Sequence, residues 1–313
     1  MSRSTPQRLG LSLFALALGV LTPAACNKPQ PTTTPEVEPS TSGSTESKKP
    51  APTDAGHGGR LYDKWYAEIG GEPGFAPGER GGPHGDGTLD DGNGQPMAHD
   101  GHSYRLKNLF GWDLRGAEGI YGPEYQNKSY VLPVNLMTDE RTPDELMAWI
   151  RDGGDGMPAY GAVLDETQLR ELVTFIDDMR SGRVPRADQV WALSKDAPKN
   201  YTLLEGGDAA RGTELVKSSC ASCHGPDGRW IPIDDKYSLG AYSRAKAYES
   251  WIKIVSGQPN TPMHREIEFT DGADGAQQVL DILAALCDRG TFPGLDGQED
   301  VPNGDPRCGA YLK

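Results

Sequence analysis

The chain has 313 residues, room for roughly two domains of ordinary size. Its 31 Lys and Arg against 45 Asp and Glu give a formal net charge of −14, and hydrophobic residues make up 36%. That balance excludes a polytopic membrane protein and a fully disordered chain, and so acidic a surface is repelled by nucleic-acid phosphates. Six Trp, 12 Tyr and 6 Phe are enough to build a core.

Residues 1–25 read as a signal peptide. Arg3 and Arg8 make a basic start, Leu9 to Leu21 an apolar run too short to span a bilayer comfortably, and Ala24-Ala25 a small-residue cleavage region. Pro23-Ala24-Ala25-Cys26 resembles a bacterial lipobox, with Pro23 in place of the usual aliphatic residue. The expectation is a lipoprotein acylated at Cys26, in the periplasm or at the outer membrane, with plain secretion as the alternative. The Pro/Thr/Ser-rich residues 26–57 form a flexible tether.

A first helical region, residues 58–181, opens with Gly58 and Leu61-Tyr62. A Gly/Asp/Pro-rich loop follows, about Gly70 to Gly101, with His84, His99 and His102 in or beside it. Its Asp86, Asp90, Asp91 and Asn93 invite a calcium reading, but Asp91 stands where an EF-hand needs Gly. His99-Asp100-Gly101-His102 has transition-metal ligand types, although loop polarity is the commoner reason for such a stretch. Trp149 to Gly153 reads as a helix end, Met157-Pro158 as the loop after it, and Leu169, Leu172, Val173 and Ile176 as the i, i+3, i+4, i+7 face of a closing helix. Residues 182–207 read as an interdomain linker.

The second region, 208–313, starts at Asp208, a plausible N-cap, and Gly212, Leu215 and Val216 share one face of a helix running into Cys220. Cys220-Ala221-Ser222-Cys223-His224 is the C-x-x-C-H signature of c-type haem attachment. Two thiols at this spacing reach the two vinyl groups of one haem, and the next residue offers imidazole to the iron. A zinc site would want a second ligand pair, and a thioredoxin-like pair would want a preceding strand rather than a helix. Trp251, Ile252, Ile254 and Val255 mark another helix ending at Gly257, and Val279, Ile282, Leu283 and Leu286 an amphipathic closing helix.

Five cysteines is an odd number for an exported chain. One lipid on Cys26, two thioethers at Cys220 and Cys223, and a Cys287–Cys308 disulfide stapling the last loop to the helix before it use every sulfur. The competing reading of Cys287 is a small buried helix residue.

This order of elements resembles the class I c-type cytochrome family, with crossed terminal helices, the haem motif after the first and a distal ligand in the loop before the last. The resemblance implies a mostly α fold of two cytochrome c-like helical domains. It also implies one covalent haem c, with His224 as proximal ligand and Met263 as distal ligand. His264 is the competitor, since a one-residue shift gives bis-His ligation and a lower potential.

Residues 58–181 retrace the second domain with its haem chemistry erased. Leu106-Lys107-Asn108-Leu109-Phe110-Gly111-Trp112-Asp113 resembles the C-x-x-C-H-G-W-D segment of tandem c-type cytochromes, and Leu61-Tyr62-Asp63-Lys64-Trp65 their opening helix, while Met157 falls where a distal ligand would stand. Hydrophobes at 106, 109 and 110 suit a filled centre, which makes Met157 packing rather than a ligand.

The functional expectation is a monohaem carrier of single electrons between redox protein partners. The partners are unidentified, and a basic one is favoured by the acidic surface. Membrane contact is expected through the lipid anchor only. The alternatives are a haem-based sensor or ligand-binding lipoprotein, and an electron-transfer subunit of a larger oxidoreductase. The chain offers no convergent acid–base group for a stand-alone catalyst.

Overall fold

The computed structural model describes residues 54–69, 89–96, 105–122, 128, 130–265, 267 and 272–313. The leader, the lipidation candidate Cys26, nearly all of the tether, and His84, His99 and His102 lie outside the described residues.

The described chain is mostly α. Helix α1 is Ala55–Glu68, α2 Leu106–Phe110, α3 Pro143–Asp152 and α4 Glu166–Ser181. After a short hairpin come α5 (Ala209–Ser219), α6 (Ala221–His224), α7 (Leu239–Ala245), α8 (Ala247–Ser256) and α9 (Gly272–Leu286). Side-chain caps start most of the long helices. Thr142 and Asp165 form reciprocal capping boxes with Glu145 and Gln168, and Asp208 accepts from the Ala210 and Arg211 amides. Each such cap satisfies backbone donors that the first helical turn leaves unpaired.

Two helix crossings organise the molecule. In the front half α1 packs on α4, and in the back half α5 packs on α9. Both crossings are too close for a side chain. A Cβ on Gly58 would lie 2.0 Å from the Glu171 carbonyl oxygen, and one on Gly212 would lie 1.8 Å from that of Asp281. Only hydrogen fits at either point.

One apolar core runs through both halves, joining Leu61, Phe110 and Ile176 to Trp251, Val279 and Leu283. The stretch expected as a linker takes part in it. Strands β1 (Trp191–Leu193) and β2 (Tyr201–Leu203) pair antiparallel, with Trp191 opposite Leu203. The Trp191 ring meets Trp251 edge-on at 5.2 Å, and the buried Tyr201 hydroxyl accepts from the Ala247 amide at 2.9 Å. Strands of three residues carry no readable period, so composition alone suggested a linker here.

The C-terminal tail is fastened down. Arg244, fully buried, binds Asp300 through Nε and Nη2 at 2.8 and 2.6 Å and donates Nη1 to the Leu286 and Phe292 carbonyls. Cys287 and Cys308 are joined as a disulfide with a Cα–Cα separation of 6.0 Å. Among the described residues no helix is long and apolar enough to cross a membrane.

Candidate haem site

Helix α5 delivers the Cys-x-x-Cys-His segment. The Asp208 cap fixes its start, Val216 seats it in the core, and the chain passes at Cys220 into the single turn α6. Amides of Cys223 and His224 donate to the Cys220 carbonyl at 3.2 and 2.9 Å, so the two thiols and the imidazole share one tight turn. Gly225 ends it at φ +82°, a left-handed conformation that glycine adopts without strain. Trp230 then folds back, its amide donating to the His224 carbonyl at 3.0 Å.

The side chains of this turn fit a covalent porphyrin. His224 Nδ1 is buried without a hydrogen-bond partner, and burial lowers the ring's pKa below the ordinary histidine value. A neutral imidazole can give a nitrogen lone pair to iron. Among the described residues Cys220 and Cys223 are the free thiols, the first half-buried beside the Val216 and Leu286 cluster and the second exposed. Immediately downstream, Trp230 is 66% and Ile231 48% exposed, an apolar pair set out on the surface beside the motif. A large apolar cofactor bonded to both sulfurs is the kind of group such a surface accommodates.

The expected distal loop follows α8. The Gln258 amide donates to the Met263 carbonyl at 2.8 Å, and Thr261 bridges the Gln258 carbonyl and the Met263 amide at 3.0 and 3.2 Å. Met263 is half-buried and His264 exposed. In the front half a tighter turn follows α3, with the Gly154 and Met157 amides each donating to the other's carbonyl at 2.9 Å, and Met157 is wholly buried.

Residues 106–113 of the front half contain no Cys or His. Leu106, Leu109 and Phe110 are completely buried on and beside α2, and the Phe110 ring packs edge-on against Trp149. In the loop before it, Asp90 and Asp91 accept from the Gly92, Asn93 and Gln95 amides and so brace their own turn. Among the described residues no group of three or more His, Cys, Asp or Glu is placed to hold a metal ion.

Contacts between the halves were missed by motif reading. Buried Asp63 of α1 bonds Lys107 at 2.5 Å and also pairs with Lys253 of α8. Burial works to raise the Asp63 pKa, but the two ammonium groups hold it well below the usual carboxylate range. A cavity of about 340 Å³ opens nearby, lined by Arg105, Lys107, Trp112, Lys199 and Tyr248 among others, and it includes no residue of the Cys-His turn. Such long-range pairings follow no local spacing.

Fold and turn together define a mostly α protein built to carry c-type haem. Residues 116–176 match the family model described as cytochrome c oxidase, cbb3-type, subunit III. That match supports a class I c-type cytochrome relationship for this stretch, and a cytochrome c domain implies an electron-transfer haem protein with redox protein partners. Searches of curated proteins and of solved structures returned no match. The matched residues lie in the front half and end in its closing helix, while the Cys-His motif lies in the back half.

Proposed function

We propose that this protein is an exported, lipid-anchored monohaem cytochrome c that passes single electrons between redox partners. Cys220 and Cys223 would hold the haem covalently, His224 would bind the iron proximally and Met263 distally. The single observation that carries the reading is the α6 turn, where two thiols sit beside a half-buried imidazole whose buried Nδ1 is unpartnered. When bound, haem supplies a one-electron couple whose potential a thioether ligand raises. The chain's own part is to seat the thiols at the end of α5, keep His224 neutral and aimed, and close the loop that presents Met263.

The front half is read as a second cytochrome c-like domain without a haem motif. Two observations support this: the Gly58 and Gly212 crossings, and a family match lying within residues 58–181. The matched family is described as an oxidase subunit, which favours the electron-transfer-subunit variant over a sensor.

Pyridine haemochrome titration of matured protein is expected to give one haem per chain. Two would overturn the reading of residues 106–113, and none would overturn the function. Carbon monoxide should leave the reduced spectrum unchanged if Met263 closes the site, whereas a gas sensor would shift its Soret band. Mass spectrometry of the mature N-terminus should show acylated Cys26.

A further inference from the structure

Helix α1 belongs to the front half, yet it is built against the loop that carries Met263. A Cβ on Gly59 would lie 1.9 Å from Ser256 Oγ, so α1 backbone lies directly on the end of α8. Arg60 Nη1 donates to the Ser256 carbonyl at 2.9 Å, closing a buried helix end. Its Nε donates to Glu68 Oε2 at 3.0 Å. Glu68 Oε1 in turn accepts from the amide of Asn260, in the middle of the 257–263 loop, at 2.6 Å. His57 Nε2 stands 3.3 Å from Glu68, and its Nδ1 stands 2.6 Å from Glu171 of α4. Two anchors therefore reach from α1 to both ends of one short segment: its root at Ser256 and its crest at Asn260.

Asn260 is exposed and holds φ +53°, a left-handed conformation that asparagine adopts more readily than most residues with a side chain. The internal bonds of the loop tie Gln258 and Thr261 to Met263 but leave the Asn260 amide to Glu68. A charge-assisted bond to this amide fixes the loop to a helix that is itself locked into the front half by the Gly58 crossing.

We infer that Glu68 is a positioning residue for the distal ligand, and that the haem-less front half serves as a clamp setting how firmly Met263 is held. This rests on Met263 being the ligand, and it gives the front half a role in tuning the redox site rather than serving only as spacer or docking surface. Flux of ligand and electrons at the iron would then depend on a carboxylate that never touches the haem.

The test uses the haem-loaded full chain. Glu68→Ala is expected to weaken the ferric methionine-to-iron charge-transfer band in the far red, lower the potential, and raise carbon monoxide affinity of the reduced protein about tenfold or more. Glu68→Gln, which keeps an acceptor for the Asn260 amide, is expected to restore most of the band. Met263→Ala is run beside them. If it leaves the band intact, the ligand reading and the clamp fall together. If Met263→Ala abolishes the band while Glu68→Ala leaves band, potential and gas affinity unchanged, the clamp alone is overturned. Should Glu68→Ala not fold, hydrogen exchange of the unaltered chain decides: the exposed Asn260 amide is expected to be protected, and exchange at the open-chain rate would overturn the inference.

Discussion

The front half closes α1 on α4 through Gly58 and fills its centre with Leu106, Leu109, Phe110 and Met157, all fully buried. The back half closes α5 on α9 through Gly212, but the equivalent turn holds an exposed Cys223, a half-buried His224 and, across the loop after α8, a half-buried Met263. Both use a crossing of two helices at a glycine. One centre is finished by its own side chains, and the other presents side chains suited to a porphyrin. If the front half is the haem-less domain proposed above, hydrophobes take up its central volume. On the proposed reading of two cytochrome c-like domains, the halves differ in the chemistry at a few central positions.

That contrast can be broken most directly at the thiols. Replacing both Cys220 and Cys223 by Ser should remove covalent haem altogether, read as loss of haem-associated mass and of the pyridine haemochrome. The next largest effect is expected in the other half. Phe110→Ala should cost about 3–5 kcal/mol in denaturant unfolding, because it empties a dry, fully buried site. The spectrum of the haem should stay as it is.

The two methionines sharpen the comparison further. Met157→Ala should cost about 2–5 kcal/mol of stability as a buried deletion while leaving potential and ligation alone. Met263→Ala should do the reverse, lowering the potential and admitting carbon monoxide, with His264→Ala changing little. A matching pattern at both sites would dissolve the distinction between a packed centre and a liganded one. Reversal at Met263 and His264 would reassign the distal ligand.

The smallest expected effect is electrostatic. Its hydrogen bond with Glu68 raises the pKa of His57, against burial that lowers it and with Glu171 adding to the rise. A raised folded value means that the stabilisation is fully present below about pH 6.5, the unfolded value, and is lost as pH rises through the folded pKa. The stability difference between the unaltered chain and His57→Gln should therefore be larger near pH 5 than near pH 9, measured by denaturant titration at both.

Much of this frame is legible in the residues. Apolar spacing marks the α4 and α9 faces, Asp208 marks the start of α5, and the spacing of Cys220, Cys223 and His224 places them in one tight turn. Gly58 and Gly212 can be paired from their place ahead of Leu61-Tyr62 and Leu215-Val216. The unreadable parts depend on residues far apart in the chain. Glu68 and Asn260 are separated by nearly two hundred positions, as are Asp63 and Lys253, and no local period links them. The β1–β2 hairpin escaped for the opposite reason, since its strands are too short to alternate visibly.

The Cys287–Cys308 bridge has a consequence for biogenesis. With those two sulfurs joined across 21 positions, the only reduced pair left among the described residues is the one just ahead of His224. On the proposed reading, vinyl addition then meets one thiol pair among the described residues, provided the tail is oxidised before its cysteines can trade partners with Cys220 or Cys223. Correct assembly becomes a question of which thiols react first.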